Sequence, residues 1–177
     1  MHPCTHLEAW EYQTVGNSKP FLMFVKQKIS LQFIQNWKKR IDNSRRAYLY
    51  KNNIFIKNFM YHPYLQAVNI SKYRINLSQF HMSSHRLCIE TGRWHRPIQT
   101  PISERICHVC TTLEDEYHFV LECSLYLNLR KKFIPPYYWK KPSVFKFIDL
   151  LSSNNVCLFQ KLGCYINYAF KIRCDTL

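Results

Sequence analysis

A chain of 177 residues, 47% hydrophobic and 16% aromatic, is long enough to bury one real core. Its 25 Lys and Arg against 11 Asp and Glu leave a formal charge of +14. That excess points to a polyanionic partner, nucleic acid before an anionic membrane surface, or else to a solvated basic surface. Three glycines are too few for the turns of a β-sandwich or the phosphate loop of a dinucleotide fold, so the composition favours helix.

In chain order, residues 1–20 are polar and mixed and end at Pro20, which predicts a loosely ordered segment. They lack the basic-then-apolar pattern of a secretory leader. The apolar run at 21–25 falls far short of the roughly 20 residues that cross a bilayer. The expectation is an intracellular protein, nuclear or cytoplasmic. Thiols stay reduced there, so eight cysteines argue for metal rather than disulfides.

One helical domain is expected over 21–177. Val25, Ile29, Phe33, Trp37 and Ile41 recur every four residues and make one helical stripe. Lys26, Lys28, Lys38, Lys39 and Arg40 fall mostly off it, with the basic end where the macrodipole favours cations. Residues 44–60 fit a helix, a strand or a packed loop equally. His62-Pro63 opens a short helix to about Val68. Ser71 is a candidate N-cap for a helix that turns Tyr73, Leu77 and Phe80 inward. Gly92 closes the next segment, and Pro97 and Pro101 bracket an extended loop. Further on, 125–133 reads as a helix stopped by Pro135-Pro136. Ser143 caps a helix through Leu151. Residues 156–172 make a final amphipathic helix with Leu158, Leu162, Tyr165, Ile166 and Ala169 inward. Cys157 and Cys164 share a face of that helix and read as core filler rather than a second metal site.

The sharpest motif lies between these helices. Cys107, Cys110, His118 and Cys123 form a C-x₂-C-x₇-H-x₄-C array. Zinc takes four such ligands at tetrahedral corners, so the array predicts a closed Cys₃His structural knuckle inserted at 104–123. With no residue arranged to leave a corner open for water, it is not read as catalytic zinc. The bland alternative is four unrelated residues, the cysteines buried as small hydrophobes. His108 is taken as a bystander and is the replacement ligand should His118 fail. Glu114-Asp115-Glu116, beside His118, is expected to lower the local positive charge or to hydrogen-bond the ligands. His85 is read as a buried, hydrogen-bonded residue or a loop anchor.

Three basic segments are candidates for nucleic-acid contact. In Arg93-Trp94-His95-Arg96 two guanidiniums can grip phosphates while the indole stacks on a base. Alternatively Trp94 anchors the loop on the core and the arginines are solvated. Arg130-Lys131-Lys132 either contacts phosphate or complements a helix C-terminus. In Tyr137-Tyr138-Trp139-Lys140-Lys141 core packing is the better reading of Tyr138 and Trp139.

The segment Met82-Ser83-Ser84-His85-Arg86-Leu87-Cys88-Ile89-Glu90-Thr91-Gly92-Arg93-Trp94 resembles the stretch before the terminal knuckle of LINE-type (non-LTR) retrotransposon reverse transcriptases. Glu104-Arg105-Ile106-Cys107, Glu114-Asp115-Glu116-Tyr117-His118-Phe119, the ligand spacing, Tyr138-Trp139, Pro142-Ser143 and Phe147-Ile148 carry the likeness over about 37–173. The resemblance implies a zinc-stabilised tail that holds RNA or single-stranded DNA. It does not bring catalysis. The chain has no Asp-Asp pair to hold two polymerase metals, and Lys141-Pro142-Ser143-Val144 lacks the aspartate of the nuclease that some such elements carry. The expectation is a mainly α-helical, non-enzymatic nucleic-acid-binding protein. The rivals are a zinc-stapled protein-docking module and a functionless retrotransposon-derived fragment.

Overall fold

The computed structural model describes residues 18–44, 62 and 64–176. The expectations for residues 1–17, most of 44–60 and Pro63 lie outside them. The chain forms two compact units, Met1–Ser44 and Arg45–Leu177. Among the described residues the fold is helical without strands, and no helix is long and apolar enough to cross a membrane.

The first unit contributes one long helix, α1 (Ser18–Asn43). The predicted helix is there, but it belongs to a separate unit and not to the domain that carries the metal ligands. Its stripe is also not buried along its length. Ile41 is covered, whereas Ile29 and Phe33 are 61% and 57% exposed. Periodicity fixes which residues share a face. Burial needs an opposing element, and within this unit the described residues supply only the helix.

The second unit is built on α8 (Val156–Thr176), with α2 (Tyr64–Ala67), α3 (Ser71–His81) and α5 (Leu127–Phe133) packed against it. The expected inward residues Leu158, Leu162, Tyr165, Ile166 and Ala169 are all buried, as are Leu77 and Phe80 on α3. Each large side chain so covered contributes about 1.5–3 kcal/mol against exposure. Close approach is helped by Gly163, where an added Cβ would lie 3.1 Å from the Cβ of Tyr73. Polar ties cross the same seams: Asn76 Nδ2 donates to Asn167 Oδ1 at 3.0 Å, and Gln160 Nε2 to the Ala67 carbonyl at 3.1 Å.

Local signals fared unequally. Ser143 does cap α7 (Val144–Ser152), its Oγ accepting from the Lys146 N–H at 3.3 Å. Ser71 does not cap α3. The cap position falls to Ile70, whose carbonyl takes the first turn's N–H groups, and Ser71 is already inside the helix. Pro135-Pro136 ends α5 and at once starts α6 (Pro136–Trp139), since proline costs nothing in a first turn. Tyr138 is buried and Trp139 half-buried, its Nε1 donating to the Ile134 carbonyl. Cys157 is exposed and Cys164 half-buried, so Cys157 is not core filler. It sits on the first turn of α8, whose buried face begins at Leu158.

Candidate metal centre

Two local structures bring the four ligands together. The first is a tight turn. Ile106 and Leu113 pair as an isolated antiparallel bridge, the Cys107 N–H donates to the Thr112 carbonyl at 2.7 Å, and the Thr111 N–H to the Cys107 carbonyl at 2.8 Å. Thr111 takes a positive φ of 56° to close it. The turn swings Cys110 back beside Cys107.

The second is a π-helical turn, His118–Glu122, closed by the Cys123 N–H on the His118 carbonyl at 2.8 Å. In an α-helix five residues advance the chain about 500°, which leaves the first and last side chains roughly 140° apart. A bond across five residues closes a wider turn and returns Cys123 to the side of His118. The x₄ spacing between these ligands is therefore served by this backbone geometry.

The ligating atoms of Cys107, Cys110, His118 and Cys123 all lie within 4.8 Å of one another. Cys107 Sγ and Cys110 Sγ are each 3.8 Å from Cys123 Sγ. A disulfide would need about 2.05 Å. Metal–sulfur bonds of about 2.3 Å at tetrahedral angles give roughly 3.8 Å. The partners of His118 leave one of its nitrogens available for a metal ion. Nδ1 lies 3.2 Å from Thr112 Oγ1 and 3.7 Å from Glu122 Oε2, while Nε2 is buried without any hydrogen-bond partner. A buried imidazole nitrogen left unpaired costs about 1–3 kcal/mol, and a metal ion is the partner that this donor set fits. Burial pushes the Cys123 thiol up to about 12, so a thiolate there calls for a cation. His108 is exposed and outside the cluster.

The scaffold of this centre was not legible in advance. Arg130, expected at phosphate, is 2% exposed. Its Nε donates to the Val120 carbonyl at 2.8 Å and its Nη2 to the Cys123 carbonyl at 2.7 Å. Tyr165 Oη donates to the Phe119 carbonyl at 2.7 Å. A helical turn that ends inside a protein leaves carbonyls without backbone donors, and these side chains satisfy them. Arg130 is thus removed from the nucleic-acid set: its guanidinium holds the metal turn in place.

The acidic triplet also works on the scaffold. Glu114 forms a two-point pair with Arg173 of α8, Nε to Oε1 and Nη2 to Oε2, both 2.8 Å, and accepts from the Cys88 N–H at 2.7 Å. Burial raises its pKa, but the hydrogen bonds and charge of Arg173 together with the hydrogen bonds from Cys88 outweigh burial and hold the carboxyl below the usual range. Asp115 accepts from the His118 N–H at 2.7 Å and so starts the π-turn. Glu116 accepts from Ser83 Oγ at 3.0 Å and pairs with His85 Nε2 at 2.9 Å, which makes His85 the buried anchor expected of it. Only Asp115 reaches a ligand residue, and through its backbone.

Arg93, Trp94 and Arg96 lie on a loop clamped to this centre. The Thr100 N–H donates to the Gly92 carbonyl at 3.0 Å. Arg105, two residues before Cys107, donates Nε and Nη2 to the Thr100 carbonyl and Nη1 to that of Ile89. Gly92 makes room for it, since a Cβ there would lie 2.6 Å from Arg105 Nε. Trp94 is 40% exposed and Arg96 is exposed. Arg93 is half-buried and pairs with Glu90 at 3.1 Å, so part of its charge is already spent. Lys131 and Lys132 are exposed on α5.

No protein-family model, curated protein or solved structure matches the chain.

Proposed function

We propose that the chain is a zinc-stabilised nucleic-acid-binding module, resembling the tail of a LINE-type reverse transcriptase and lacking polymerase and nuclease sites. Zinc is the metal that a closed set of three thiolates and one imidazole suits best. It would neutralise the thiolates, take His118 Nε2 as its fourth ligand, and fix the turn from which the Arg93–Arg96 loop is hung. The observation that carries the reading is this juxtaposition: a metal-fit cluster rigidly tied, through Arg105, to a loop with an exposed indole and an exposed guanidinium.

The test is single-strand binding by fluorescence anisotropy across a salt series. With about four phosphates neutralised, the slope of log affinity on log salt should be near −3. Arg96→Ala should flatten it, Arg93→Ala less so because of Glu90. Trp94→Ala should cost about 1–3 kcal/mol with little change of slope, since stacking releases no counterions. Binding unchanged in a folded Trp94→Ala protein would remove the stacking role.

Exposed apolar side chains within residues 98–109 favour one rival, a protein-docking module. Ile98, Ile102 and Val109 are 80%, 62% and 45% exposed. No strand affinity at moderate salt, with the metal bound, would decide for it.

A further inference from the structure

A second place suited to a nucleotide lies away from the metal loop. A cavity of about 290 Å³ opens between the end of α3 and the end of α8, lined by Asn76, Gln79, Ser84, His85, Arg86, Phe170, Arg173 and Cys174. Its size is just under the roughly 300 Å³ at which small-molecule pockets begin, which is room for one base.

The chemistry of the walls narrows the occupant. None of the described lining residues is acidic. Arg173 is committed through Nε and Nη2 to Glu114, so its charge is largely spent, and His85 is engaged by Glu116. Arg86 is exposed, with no acidic partner among the described residues. It is the uncompensated cation of the site. Phe170 is half-buried and stacked on Phe119, with centroids 4.8 Å apart, which fixes its ring as a wall. Gln79 and Ser84 are exposed at the rim, and Asn76 is held by its amide on Asn167. An aromatic wall, amide edges and one guanidinium are the groups that hold an unstacked base and its phosphate. An inorganic anion alone would use only the arginine.

We infer that this cavity takes one nucleotide unit of a single strand, its base against Phe170 and its phosphate on Arg86. The inference rests on the nucleic-acid reading above and adds a second point of hold for the same strand.

Cys174 provides the readout. It is exposed in the cavity wall, and Cys157, exposed on the first turn of the same helix, serves as the internal control. The full metal-loaded chain is treated with iodoacetamide and both sites are followed by peptide mass mapping. AMP at millimolar concentration should slow alkylation of Cys174 several-fold and leave Cys157 unchanged. Arg86→Gln, a surface change, should abolish that protection with the circular dichroism spectrum intact. An unchanged Cys174 rate, equal protection by inorganic phosphate at matched ionic strength, or equal slowing of Cys157 would each overturn the inference. Strand binding is measured separately with oligoadenylate. If the strand binds through Trp94 while Cys174 stays unprotected, this site falls and the wider reading stands. If no strand binds at all, the wider reading falls, and protection by AMP reports on the cavity alone.

Discussion

The seam between α3 and α8 and the metal turn sit in one unit but are held by different forces. The seam is apolar: Leu77, Phe80, Leu162 and Ile166 are fully buried, and Gly163 lets the backbones approach. The metal turn has short, irregular backbone whose polar groups must be satisfied one by one. Arg130, Tyr165 and Asp115 supply those bonds, and His118 Nε2 is left for a cation. Burial energy adds up over many contacts and tolerates local loss. A network of single bonds does not, because each missing partner strands a buried group.

The sharpest way to break that contrast is to remove the metal. Chelation, or Cys107→Ser with Cys123→Ser, should abolish zinc by elemental analysis and unfold the turn, since binding energy at such a site is folding energy. The far-ultraviolet helical signal should largely survive, because α3 and α8 do not need the ion. Loss of all helix in one transition would show that the two regions are one cooperative structure.

A smaller effect tests the polar scaffold with the ligands intact. Arg130→Met keeps the stem and deletes the guanidinium, leaving the Val120 and Cys123 carbonyls unsatisfied. The expected loss is about 3 kcal/mol in denaturant unfolding, with weakened zinc affinity. If zinc affinity stays at the wild-type value, Arg130 does not position the turn.

Glu114 joins the two regions through Arg173, and its effect should depend on pH. Glu114→Gln should cost about 2 kcal/mol near neutrality. The folded carboxyl titrates below its unfolded value, so its contribution is full above about pH 4.3 and lost as pH falls through the folded value. The difference between wild type and variant should therefore shrink in acid. A gap that widened there would reverse the sign of the shift.

The smallest expected change is in the apolar seam. Gly163→Ala gains about 1 kcal/mol of helix propensity but must push Tyr73 away, at roughly 1–3 kcal/mol for overpacking. A net loss of about 1 kcal/mol is expected, with zinc affinity untouched. Net stabilisation would mean that the seam has room to spare.

Sequence alone determined the features that depend on period and spacing. The inward face of α8, the Ser143 cap, the stop at Pro135-Pro136 and the clustering of Cys107, Cys110, His118 and Cys123 were readable because each rests on residues a few positions apart. The opposite fate of two arginines shows where that ends. Arg96 is exposed as a loop arginine should be, while Arg130, in a basic run that looks like a surface helix end, is buried. Its partners are carbonyls seven and ten residues back, freed by a π-turn that no local pattern announces. The pairing of Glu114 with Arg173, across 59 positions, is of the same kind. Side-chain identity fixes what a group can bond to. Only the folded chain decides which backbone groups are left unpaired, and therefore which charged side chains must go inside to meet them.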